Sequence, residues 1–216
     1  MANNYSHLFP NLISRSRLCR RLKGLLRAME IIRQNLLFLL NADLTSIRIV
    51  DNFPLPLCHL KRLSRSTCPF EYLANVGRCE SKGETYYGVK VHIMATLSGI
   101  PVGYCITPAS THNTKCLIAL LADTPNLLGI TILGDKGYAG KELHELVLQQ
   151  FEVTMLVQQR CYNKELPESV AMHAGQNLTR SVTGLMLQLK AKFTAFNLAN
   201  YLNVLLDEPI LQVASF

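Results

Sequence analysis

Apolar residues recur at steps of three and four along residues 14–40, at Leu18, Leu22, Leu25, Met29, Ile32 and Leu36. That spacing predicts one face of an amphipathic helix or of a helix pair, and Gly24 marks where a pair would divide. The period then changes. Ser46-Ile-Arg-Ile-Val-Asp51 is apolar and β-branched and predicts a strand, while Pro54 and Pro56, which cannot donate to a ladder, predict that it ends at Asp51. Residues 57–84 are polar and irregular and predict a loop or short helix. Over residues 86–96 the chain alternates, with Tyr87, Val89, Val91 and Ile93 on one face and Gly88, Lys90, His92 and Met94 on the other. Ser98-Gly99 then reads as a turn and residues 100–107 as the partner strand of a hairpin.

Residues 111–122 predict a helix capped by Thr111 or Asn113. A short, wholly apolar strand follows over 129–134 and stops at Asp135. Gly140 opens a helix over 141–150, residues 151–157 read as another strand, and Val182, Leu185, Leu189, Phe193, Phe196 and Leu202 keep helical steps through a long helix over 181–206. Strands alternating with helices predict an α/β sheet flanked by helices.

The composition fits that picture. The chain has 216 residues, 49% of them hydrophobic, which excludes disordered and fibrous classes and suffices for one domain core. Its net charge of +7 is unevenly placed: residues 1–65 carry +8 and the remainder −1. Arg15, Arg17, Arg20, Arg21, Lys23 and Arg27 crowd the first helical stretch with no acid among them. Such a block is a solvated outer face or a helix laid against phosphates. The seven cysteines include no CxxC pair and no zinc-finger spacing, and an odd number in a chain of this length predicts reduced thiols in a cytoplasmic protein. Residues 25–40, the most apolar stretch, are interrupted by Arg27, Glu30 and Arg33 and predict no membrane span. Residues 1–7 lack the sections of a signal peptide.

Asp51 and Asp135 each close an apolar strand. If the two strands are neighbours, both carboxylates meet at one sheet edge, where open α/β sheets place their sites. Two hard oxygen ligands suit Mg²⁺ or Mn²⁺, which phosphoryl-transfer enzymes use in pairs about 4 Å apart. A basic arm beside them would hold DNA. No GxGxxG or GxSxG sequence supports a small-molecule α/β enzyme instead.

Five motifs occur in order: Asp51-Asn-Phe-Pro-Leu-Pro-Leu-Cys58, Tyr86-Tyr-Gly-Val-Lys-Val-His92, Gly99-Ile-Pro-Val, Thr107-Pro-Ala-Ser-Thr-His112 and Gly134-Asp-Lys-Gly-Tyr138. Together they resemble the catalytic domain of bacterial insertion-sequence transposases of the DDE type, over residues 44–206. Lys192-Phe-Thr-Ala-Phe-Asn-Leu-Ala-Asn-Tyr-Leu-Asn203 is similar to the last helix of that group. The resemblance implies a ribonuclease-H-like fold over 44–206, preceded by a basic helical segment over 1–43 and followed by a tail over 207–216. It implies an Asp, Asp, Glu triad around two divalent ions, Mg²⁺ or Mn²⁺, that cuts DNA at the element's ends and joins it to a target. Asp51 matches the first acid and Asp135 the second. For the third, Glu165 and Glu168 are available, and Pro167 between them suits a helix start at Glu168. Lys90 and His92 match family positions near the site. Contacts to double-stranded DNA are expected from Arg17, Arg20, Arg21, Lys23, Arg27, Lys61, Arg62, Lys90, His92 and Lys136, with the protein acting as a homo-oligomer on DNA. Asn52 stands where the family commonly has Ser, and Asn113 where it tends to have Asp. The chain is short before Asp51 and around the expected Glu, so the expectation includes a shortened or degenerate member. The alternative is a remnant that binds DNA without cutting it.

Overall fold

The computed structural model describes residues 14–58, 60, 70, 72–79, 83–157 and 181–210. Two helices lead, α1 (Arg15–Gly24) and α2 (Leu26–Leu39), divided at Leu25, so the helix pair is the form adopted. Ser14 caps α1 by accepting from the Arg17 N–H. Their apolar stripe is only partly used: Leu36 is buried, while Leu18, Leu25 and Ile32 stay about half exposed. α2 is tied down by ions. Arg33 donates to Glu30 at 2.6 Å and to the Val102 carbonyl at 3.0 Å, and Lys190 reaches Glu30 at 2.9 Å. Burial pushes the Glu30 carboxyl up, but these two cations outweigh it and hold it below its ordinary value.

A short 3-10 turn at Ala42–Leu44 leads into the sheet. Its strands are β1 (Ile47–Cys58), β2 (Asn75–Cys79), β3 (Glu84–Thr96), β4 (Pro101–Pro108), β5 (Thr131–Gly134) and β6 (Thr154–Val157). β1 lies between β3, to which it is antiparallel, and β5, to which it is parallel; β6 continues beyond β5. On its other edge β3 pairs first with β2, over Glu84 to Gly88, and then with β4, over Val89 to Ala95. The hairpin between β3 and β4 turns through residues 97–100, with Gly99 at φ 80°, a value few other residues adopt.

β1 corrects the expected strand end. It runs on through both prolines to Cys58, paired with β3 from Arg48 onward with a bulge between Pro56 and Cys58, whereas β5 accompanies it only as far as Val50. Pro54 and Pro56 share one parity, so their missing N–H groups fall on the side that β5 has already left. The loop expected over 57–84 likewise contains β2.

Helices cover both faces. On one, α3 (Asn113–Ala122) and α4 (Lys141–Phe151) bury Leu117, Leu120, Leu121 and Val147 against Val50, Met94, Ile132 and Met155. On the other, α5 (Val182–Leu205) lays Leu185, Leu189 and Phe193 on Leu55, Val89 and Val91, and Tyr104 stacks on Phe193. The α3 cap is His112, which accepts from the Thr114 N–H, and neither Thr111 nor Asn113. Cys105 of β4 and Cys116 of α3 face each other and are joined as a disulfide, contrary to the expectation of reduced thiols; Cys19, Cys58 and Cys79 are not disulfide-bonded. No helix among the described residues is long and apolar enough to cross a membrane.

Arg48 fixes the start of β1. It is fully buried and donates to the carbonyls of Asp43 and Asn126, both at 2.9 Å, and of Pro125 at 3.2 Å. Arg48→Met keeps the bulk but strands these acceptors, so urea unfolding should show a loss of about 3 kcal/mol.

Candidate active site

The site grows out of one register. β1 and β5 pair from Ile47 with Thr131 to Val50 with Gly134, and the next residue on each strand is an aspartate. Asp51 and Asp135 therefore follow the same last rung of the β1–β5 pairing, Asp135 just past the end of β5 and Asp51 within β1, where it is still paired with β3. After Gly134 the chain tightens into a 3-10 turn at Lys136–Tyr138, which Asp135 caps by accepting from the Gly137 N–H at 2.9 Å. A Cβ at Gly137 would sit 2.5 Å from the Asn113 side-chain nitrogen, so a larger residue here would push that amide aside.

Asp51 is open to solvent at its tip yet backed by the protein. Burial raises its carboxyl above the ordinary value, the Asn52 N–H at 2.7 Å opposes that, and the nearby charge of Asp135 adds to it. The two acids thus feel each other's charge. Lys90, half-buried on β3, donates to the Thr111 carbonyl at 3.0 Å and to the Asn113 side chain at 3.2 Å. Burial lowers its ammonium, and Asp135 pulls it back toward the charged form.

Behind the acids lies a buried polar chain. The Tyr138 hydroxyl sits 2.9 Å from His92 Nδ1, and the other ring nitrogen lies 3.0 Å from Thr107 Oγ1. His92 is wholly buried; burial lowers its pKa to about 4, with the Lys90 charge adding to the effect, so it is neutral.

The expected site residues therefore sort as follows. Asp51, Asp135 and Lys90 come together, and Lys136 is exposed beside them. Arg17, Arg20, Arg21 and Lys23 are exposed on α1, and Arg27 is exposed on α2. His92 is a core residue, with both ring nitrogens engaged and no surface to present to DNA. Lys61, Arg62, Glu165 and Glu168 lie outside the described residues. Reading the sequence missed Tyr138 and Thr107 as one unit with His92; the available signal was an aromatic three residues after a strand-end acid.

The sequence profile of the transposase DDE domain matches residues 43–194, most of the chain. The chain belongs to the DDE transposase family. Domains of this family are ribonuclease-H-like, and the chain has the corresponding mixed central sheet flanked by helices. Among solved structures it is similar to a piggyBac transposase, determined as a synaptic complex with hairpin DNA, at 17% identity and a TM-score of 0.38, covering 57% of this chain. The chain spans about a quarter of that protein's length, 25%. Among curated proteins no sequence matches it. DDE transposases as a family use divalent metal ions; Asp51 and Asp135 offer hard oxygen donors of the kind such ions take, and among the described residues no group of three or more His, Cys, Asp or Glu is gathered for one.

His92 carries a pH signature. Its pKa is about 4 when folded against 6.5 ordinarily, so between these values the unfolded chain binds more protons and stability falls as pH falls. The full loss is about 3 kcal/mol. The raised Asp51 carboxyl acts in the opposite sense, so the comparison is with His92→Gln. Urea midpoints of the wild type should drop more steeply from pH 6.5 to 4 than those of the variant.

Proposed function

We propose that Asp51 and Asp135 hold divalent cations, Mg²⁺ or Mn²⁺, in a two-metal site, with Glu168 as third ligand, and that the protein cleaves and transfers strands of double-stranded DNA at insertion-sequence ends. The observation that carries the reading is the pairing of Val50 with Gly134, which delivers two mutually repelling carboxylates to one sheet edge. Bound there, the metal supplies stabilisation of charge on the attacking and leaving oxygens of an in-line displacement.

The chain's own residues bind and orient. Two acceptors hold the Lys90 ammonium beside Asp135, and its third proton is directed to a phosphate oxygen. Lys136, exposed next to Asp135, meets the same backbone. The exposed cations of α1 and Arg27 grip duplex phosphates at a distance from the chemistry and read no sequence. Two DNA ends require two such sites, so the working form is a homo-oligomer on DNA.

Asp135→Asn keeps the oxygen that accepts from Gly137 but removes a metal-binding charge. In a nicking and strand-transfer assay on terminal-repeat DNA with Mg²⁺ or Mn²⁺, activity should fall by about 10²–10³-fold or more, the scale for losing a group that stabilises transition-state charge. Undiminished activity in the variant would sink the assignment, and a wild type that binds DNA without nicking it would support the remnant reading. The same substitution relieves the repulsion on Asp51, so without metal the variant should be more stable than wild type by a few tenths to about 1 kcal/mol in urea unfolding. For DNA binding, Arg20→Ala combined with Arg21→Ala should lower affinity similarly for all sequences and reduce the slope of log K against log salt by about 2.

A further inference from the structure

Tyr138 connects more of the site than either aspartate does. It follows Asp135 by three residues in the tight turn after β5, and its ring is fully buried between α3, α4 and the sheet. Its hydroxyl bonds His92, which stands opposite Asn52, the residue after Asp51, in the register of β1 with β3. His92 in turn reaches Thr107 on β4, its ring roughly perpendicular to that of Tyr138. Hydrogen bonds therefore tie the turn that carries Asp135 to β3 and β4, and β3 is paired with the strand that carries Asp51.

The pairing of β1 with β5 stops at Val50 and Gly134, one residue short of both acids. Beyond that rung no backbone hydrogen bond between the two strands fixes the separation of Asp51 and Asp135. The bond from Tyr138 to His92 supplies a connection past that rung: it joins the turn, three residues after Asp135, to β3 at the residue opposite Asn52, next to Asp51. Its interior location keeps water from competing for the hydroxyl.

We propose that Tyr138 is a positioning residue whose hydroxyl, held by His92, sets the separation of the Asp51 and Asp135 carboxylates. The inference rests on the reading of those carboxylates as metal ligands, and it has a readout that does not require metal. A donor pair that must match a metal's coordination tolerates displacement of only about 0.5 Å. Tyr138→Phe removes the hydroxyl and keeps the ring. His92→Asn offers the hydroxyl an acceptor near the place of Nδ1, and His92→Leu offers none.

Crystal structures of metal-free wild type, Tyr138→Phe, His92→Asn and His92→Leu give the carboxylate separation directly, and Mn²⁺ titration calorimetry on the same proteins gives the affinity. The expected result is a carboxylate shift of more than about 0.5 Å in Tyr138→Phe and His92→Leu, with a loss of Mn²⁺ affinity of about 10- to 100-fold, and near-wild-type behaviour in His92→Asn. Carboxylates that keep their separation in Tyr138→Phe overturn the proposal whatever the metal does. Carboxylates that part in Tyr138→Phe, in a protein whose wild type takes up no Mn²⁺, uphold the positioning role and remove the metal reading instead. Thermal unfolding of each variant verifies that the proteins compared are folded.

Discussion

Four rungs of parallel pairing between β1 and β5 are the constraint on which the site depends. Parallel partners run in the same direction, so residues just past the last rung emerge together, and here both are aspartates. The last rung is tight: a side chain on Gly134 would come within 3.3 Å of Val50 Cγ1 and 3.4 Å of Tyr138 Cβ. Glycine there lets the turn close over the strand end, and the turn is what aims Asp135. The arrangement places like charges together against the interests of folding, and the apolar layers on both sheet faces offset that cost.

The polar interior follows from the same geometry. Arg48, His92 and Thr96 are buried on β1 and β3, which in a sheet covered by helices on both faces leaves each dependent on a specific partner. A slip of one residue in the pairing of β1 with β3 would turn each of these groups into the opposite, apolar face and carry Asp51 away from Asp135. The hydrogen bonds of these buried groups therefore hold the register along with the hydrophobic pattern.

Much of this was legible in the residues, and the exceptions have physical causes. The hairpin, the strands before Asp135 and over 154–157, the helix opened by Gly140 and the long last helix all follow from local periodicity and turn chemistry. The end of β1 did not, because whether a proline breaks a strand depends on which edge is paired, and pairing is a tertiary fact. β2 lies in a polar stretch and takes its form from β3. His92 looks from its spacing like a companion of Lys90 on one polar face; only the packing of Tyr138 against it makes one of the pair a core residue. The joining of Cys105 to Cys116 needs α3 to fold onto β4, which no count of cysteines reveals.

The prolines of β1 have one more effect. Among the described residues, the stretch from Asp51 to Cys58 has a strand on one side only. A half-paired strand of this length is a template on which another chain can add itself by backbone hydrogen bonding. Pro54 and Pro56 withhold the donors such an intruder would need, at two successive outward positions. The open side of β1 beside Asp51 is thereby guarded against pairing edge to edge with another chain, so the segment that carries a candidate site residue keeps its own partner, β3.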